Sequence, residues 1–100
     1  MEGAWLYFLR CSDGSYYVGS TRAELLVRVD QHQSGLVDDY TARRRPVTLV
    51  FSHWFDRITD AIAAERQTKG WRREKKEAVI AGRLDLLPAL SSRRWKSQMK

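Results

Sequence analysis

Two short apolar segments, Trp5-Leu6-Tyr7-Phe8-Leu9 and Tyr16-Tyr17-Val18-Gly19, flank the turn-prone stretch Cys11-Ser12-Asp13-Gly14-Ser15. Asp-Gly between two runs rich in aromatic and β-branched residues is a strong hairpin signal, because both residues tolerate the backbone that a tight turn demands. The chain is thereby committed to an antiparallel pair at its start, with Tyr7 and Tyr17 near one another on one sheet. Strand tyrosines are most often packing residues. A phenol with its ordinary pKa of about 10 is a poor base without a neighbouring cation or metal-bound water. Gly19, just past Tyr17, permits another group to approach the backbone closely.

Thr21-Arg22-Ala23-Glu24 has the form of a capping box and opens a helix over residues 23–34, with Leu25, Leu26 and Val29 inward and Gly35 closing it. Residues 36–45 show no apolar period and read as an exposed loop, in which Asp38-Asp39 serves solubility. Val47, Leu49 and Phe51 alternate with Thr48, Val50 and Ser52, a strand of about six residues. Because Val50 lies on its second face, that strand is expected to be central or covered on both sides. Thr59 caps a second helix that Gly70 interrupts, and a third follows over residues 72–81, with Trp71 at its entry and Gly82 at its end. The order is β-β-α-β-α-α, an α+β fold. Residues 1–82 form the domain and 83–100 a basic C-terminal tail, in which Leu84, Leu86, Leu87 and Leu90 can dock a short segment and Pro88 excludes a long helix.

The 100 residues suffice for one core of two packed layers. A net charge of +6 favours an anionic partner, nucleic acid first. The single cysteine, Cys11, excludes an internal disulfide and a multi-cysteine zinc site. No apolar run reaches bilayer length, and the start lacks the features of a signal peptide, so a cytoplasmic location is expected.

Arg28 and His32 are spaced i, i+4 and share a helix face. Arginine matches phosphate oxygens with a planar fork, and histidine moves a proton near neutral pH; a solvated helix face is the plainer explanation of the same spacing. Glu65, among Ala61, Ile62, Ala63 and Ala64, is either an ion-pair partner of Lys69 or a partly buried acid able to hold Mg²⁺ with waters and a phosphate. The cations gather in two groups: Arg43, Arg44 and Arg45, then Arg66, Lys69, Arg72, Arg73, Lys75 and Lys76 around Trp71. Basic residues interleaved with aromatics suit a nucleic-acid backbone and unstacked bases, although many such runs are only solvated faces.

Taken in order, these pieces resemble the GIY-YIG endonuclease superfamily, most closely its compact single-domain bacterial members related to the URI-type nuclease domain. The resemblance runs over residues 4–82: Trp5-Leu6-Tyr7 at the first motif, Tyr17-Val18-Gly19 at the second, then Arg28-x-x-x-His32, Ser34-Gly35, Tyr40-Thr41, Arg45-Pro46-Val47, Leu49-Val50-Phe51, Ala61-Ile62-Ala63-Ala64-Glu65 and Lys75-Lys76-Glu77-Ala78. Trp5-Leu6 stands where the family has glycine and isoleucine, and Glu77 where several members have asparagine. The resemblance implies a three-stranded antiparallel sheet flanked by helices and hydrolysis of DNA phosphodiesters with one divalent ion, Mg²⁺ or Mn²⁺. It implies Tyr7 as the water-activating phenol, Tyr17 as its aid or as the group orienting the phosphate, and Arg28 as the stabiliser of transition-state charge. His32 would assist by hydrogen bonding or proton transfer, Tyr40 would line the site, and Glu65 would bind the metal. Branched, nicked or damaged DNA is the expected substrate class, in repair or recombination, with a separate protein for targeting. The alternatives are a nucleic-acid-binding module on the same fold with little catalysis, and a protein-interaction domain.

Overall fold

The structure, a computed structural model, describes residues 3–87. Its elements are β1 (Ala4–Arg10), β2 (Tyr16–Thr21), α1 (Leu25–Gln33), α2 (Asp39–Ala42), β3 (Thr48–Phe55), α3 (Ile58–Lys69), α4 (Arg73–Ile80) and a 3-10 turn at Leu84–Leu86. The three strands form one antiparallel sheet in the order β2-β1-β3. The fold is therefore the α+β arrangement expected, with one short helix added.

β1 and β2 pair from Trp5 with Thr21 to Arg10 with Tyr16. Between them the backbone amide of Cys11 donates to the Ser15 carbonyl, and the Asp13 carboxylate accepts from both the amide and the hydroxyl of Ser15. This is the side-chain turn mimicry that makes aspartate common at such positions.

β1, not β3, is the central strand. Its alternate side chains enter two cores: Ala4, Leu6 and Phe8 pack against α3 and α4, while Tyr7 and Leu9 pack with Val47, Leu25 and Val29 beneath α1. β3 is an edge strand, against the expectation from Val50. The register slips between Phe8, opposite Phe51, and Leu9, opposite Leu49. The bulge turns the consecutive residues Val50 and Phe51 towards the same core; two neighbouring apolar side chains here mark a bulge rather than a strand covered on both faces.

Three helix starts also differ from the sequence expectation. Thr21 remains in β2, buried opposite Trp5, and its hydroxyl accepts from the amide of Ala23. Glu24 is the N-cap of α1 and makes no side-chain capping bond, so the capping box does not form. Starting α1 at Leu25 sets its phase: Leu25, Val29 and His32 turn inward, and Leu26 is 71% exposed rather than in the core. α3 begins at Ile58 with Arg57 as N-cap, and Thr59 does not cap it; Ile58 packs against the core instead. Within the supposed loop, Asp38 caps α2 by accepting from the amide of Tyr40 at 2.7 Å. One helical turn is too short to leave an apolar period.

Gly35 ends α1 at φ +78°, with its amide bonded to the His32 carbonyl and that of Leu36 to the Gln31 carbonyl. This double bond pattern needs a left-handed residue that glycine adopts without strain. After α4 the chain folds back, and Leu87 is fully buried in the core that Leu6, Phe8 and Val79 share. Leu90 and the basic segment beyond it lie outside the described residues.

Candidate active site

The edge of β2 carries the site. Tyr7 and Gly19 are paired across β1 and β2, and a Cβ on Gly19 would stand 2.7 Å from both Cζ and the hydroxyl oxygen of Tyr7 and 3.0 Å from Cε2 of Tyr17. Both phenols lie over the bare backbone of Gly19, and any side chain there would displace them. Beside them, the rings of Tyr17 and His32 are 4.9 Å apart and those of Tyr17 and Tyr40 are 6.2 Å apart.

His32 is 2% exposed and bonded at both nitrogens: Nε2 lies 2.8 Å from the Tyr7 hydroxyl and Nδ1 lies 2.8 Å from Thr41 Oγ1. The Thr41 hydroxyl donates to the Asp38 carbonyl. Its oxygen is thus the acceptor for Nδ1–H, which leaves Nε2 to accept the Tyr7 proton. Burial lowers the His32 pKa, and the nearby Arg28 cation lowers it further, against a smaller opposite pull from Asp38. Neutral imidazole facing a phenolic proton is the outcome.

Burial raises the Tyr7 pKa far above its ordinary value, and Tyr17 adds to the rise while Arg28 opposes it. Tyr17 is pushed up to about 12, first by burial and then by the carboxylates of Asp38 and Glu65. Its hydroxyl donates to Asp38 at 3.4 Å. Asp38, expected only to aid solubility, therefore caps α2 and orients a phenol. Arg28 holds Thr21 Oγ1 through Nε at 3.4 Å.

Glu65 comes from α3, on the opposite face of the sheet from Tyr7. Its Oε1 accepts from the Ser20 hydroxyl at 2.5 Å, and its Oε2 lies 3.0 Å from Lys69 Nζ. Ser20 is next to Gly19, so the carboxylate stands at the β2 edge, where its charge bears on both phenols. The structure thus gathers Tyr7, Tyr17, Arg28, His32, Tyr40 and Glu65 around one edge, and the Lys69 ion pair coexists with that placement. Ser20 has no place in the sequence expectation, and Thr41 stands there only beside Tyr40, with no role of its own. Each works through a single hydroxyl whose partner is many residues away, and no local pattern marks such contacts.

Several cations of the expected basic surface are held by the protein itself. Arg44 pairs with Asp13 at 3.1 Å, donates to the Tyr40 carbonyl and covers the Tyr40 ring. Arg45 donates to the carbonyls of Ala42 and Gln33. Arg73 binds Glu77, donates to the Gly14 carbonyl and lies over Tyr16, whose hydroxyl donates to the same carboxylate. Glu77 thus ties α4 to the hairpin. Lys75 sits over the Trp71 ring, while Arg43 and Arg72 are exposed.

A hairpin carrying two phenols over a glycine, an arginine and a histidine from the next helix, and a carboxylate from a third element form the frame of a GIY-YIG domain. The family described as the GIY-YIG catalytic domain matches residues 3–78, and the chain belongs to it. Within that family it is similar to the UPF0213 proteins. It is 35% identical over 83 residues to one from Staphylococcus aureus strain Mu3, covering 83% of this chain and all of that protein. The SAV0488 protein of strain Mu50 matches to the same extent. Among solved structures, the solution NMR structure of the UPF0213 protein BH0048 from Bacillus halodurans is similar, with 34% identity, a TM-score of 0.52, and coverage of 79% of this chain and 83% of that one.

Proposed function

We propose that this protein is a metal-dependent endonuclease that hydrolyses DNA phosphodiester bonds. The observation that carries the reading is the Tyr7–His32 hydrogen bond, a phenolic proton aimed at a neutral imidazole held in one tautomer by Thr41. With its pKa raised, Tyr7 is a phenol rather than a phenolate near neutral pH. It can still activate water as a relay: the phenolic oxygen takes the proton of an attacking water as its own proton passes to His32 Nε2. Arg28, whose charge reaches both groups, stabilises the negative charge that builds on the phosphate. Tyr17, oriented by Asp38, directs the phosphate towards that water.

Among the described residues, no three His, Cys, Asp or Glu side chains stand together as a metal cluster. The donor set is the single carboxylate of Glu65, which suits Mg²⁺ or Mn²⁺ completing its shell with water and phosphate oxygens. Lys69, on a flexible half-exposed stem, already places a positive charge at Oε2. Glu65 would hold the ion, with Ser20 fixing the other carboxylate oxygen. When bound, the ion supplies Lewis-acid polarisation of the phosphate and the leaving oxygen.

Branched, nicked or damaged DNA is the proposed substrate class, in repair or recombination in the cytoplasm, with a partner protein for targeting. The test is a cleavage panel of duplex, single-stranded and branched DNA with Mg²⁺ or Mn²⁺. Glu65→Gln should lower cleavage by about 100-fold or more while DNA affinity is retained, since the phosphate-facing cations survive. A wild-type protein that binds these DNAs but cleaves none of them would identify a binding module instead.

A further inference from the structure

Beside Tyr17, the surface opens into a pocket of about 390 Å³ whose walls include Tyr16, Tyr17, Tyr40, Asp38, Lys69 and Lys76. The charges in it are unequally matched. Asp38 accepts from the Tyr17 hydroxyl and the Tyr40 amide, and Lys69 is paired with Glu65. Glu77, the acid next to Lys76 in sequence, is held by Arg73 and Tyr16. Lys76 is half-buried, and its ammonium makes neither a hydrogen bond nor an ion pair among the described residues. Burial accordingly lowers its pKa. A cation drawn partly out of water with no counter-charge costs stability unless a ligand supplies one.

We infer that this pocket is a subsite for the phosphate flanking the scissile one, with Lys76 as its ligand. The inference rests on the endonuclease reading, which supplies the anion and the scissile phosphate beside it. An ammonium suits a phosphate as a point charge, and tyrosine walls suit the sugar and base attached to it. Because Tyr17 belongs both to the pocket and to the catalytic group, the phosphate held here is adjacent to the one under attack. Lys75, the neighbouring cation, points to Trp71 instead and has no part in the subsite.

The test is fluorescence anisotropy of a labelled single-stranded oligonucleotide, titrated with the full chain in EDTA across rising sodium chloride, so that cleavage plays no part. Lys76→Met should weaken binding by about fivefold and reduce the slope of log affinity against log salt by about 0.7, one phosphate contact on a single strand. Lys76→Arg should restore both, Arg83→Met, at a cation held by Asp85 outside the pocket, should leave the slope unchanged, and a melting temperature no lower than that of the wild type would show that Lys76→Met is folded. Wild-type affinity and slope in Lys76→Met, or an equal loss in Arg83→Met, would overturn the subsite. Binding that depends on Lys76 without any cleavage in Mg²⁺ would support a phosphate site at Lys76 while removing the endonuclease reading and the scissile neighbour with it.

Discussion

His32 is the residue whose chemistry is set most completely by its surroundings. It sits beneath α1 with one nitrogen fixed by Thr41 and the other open to the Tyr7 proton. Protonating it would remove the acceptor and place an imidazolium beside Arg28. Because burial and Arg28 lower its pKa, cleavage should be lost on acidification with an apparent pKa below about 6.5, the ordinary histidine value. The ring-proton NMR shift of His32 should follow the same curve, and a kinetic pKa at or above 6.5 would remove His32 from the relay. Stability has a definite sign as well. In the window between the depressed folded pKa and about 6.5 the unfolded chain binds more protons, so stability rises with pH there and is lost as pH falls through it. Half-buried His53 shifts in the same direction, which is why the NMR signal, rather than a melting curve, isolates His32. Sequence spacing pairs Arg28 with His32; it cannot show that one is buried and the other is not, because that difference comes from β1 and α2 closing over the helix.

At the scale of elements, α1 and β3 are joined by a side chain acting as a strand. The Gln33 amide donates to the Val47 carbonyl at 2.6 Å and accepts from the Val47 amide at 2.8 Å. This satisfies both backbone groups of a buried residue just before β3 begins. Gln33→Ala should destabilise the protein by about 1–3 kcal/mol, the cost of leaving such groups unpaired, as measured by denaturant unfolding; a change within about 0.5 kcal/mol, typical of neutral surface positions, would show that water replaces the amide. The hairpin was legible because Asp13-Gly14 acts within the turn itself. The start of α1 was not, because Thr21 offers the same hydroxyl to a capping box or to the end of a strand, and its pairing with Trp5 decides between them. The centrality of β1 was hidden similarly: Val50 suggested a covered β3, and only the register slip shows that it belongs to a bulge.

For the molecule as a whole, the core continues past α4. Leu87 is fully buried among Leu6, Phe8 and Val79, so Leu87→Ala should cost about 2–5 kcal/mol and lower the melting temperature, whereas an unshifted transition would show that the segment after Gly82 is dispensable to the fold. The net charge of +6 sets the sign of the partner, but part of it is bound internally through Arg44, Arg45 and Arg73, leaving Lys76 as a pocket cation without a counter-charge among the described residues. The sequence by itself determined the antiparallel hairpin and the order of the longer elements, because turn chemistry and motif order are carried by neighbouring residues. The tertiary structure decided the rest: that β1 is central, that His32 is neutral and turned to Tyr7, that Asp38 and Ser20 bond Tyr17 and Glu65, and that Tyr7 and Tyr17 lie over Gly19. Burial and hydrogen bonding between distant residues fix those features, and neither leaves a local pattern in the chain.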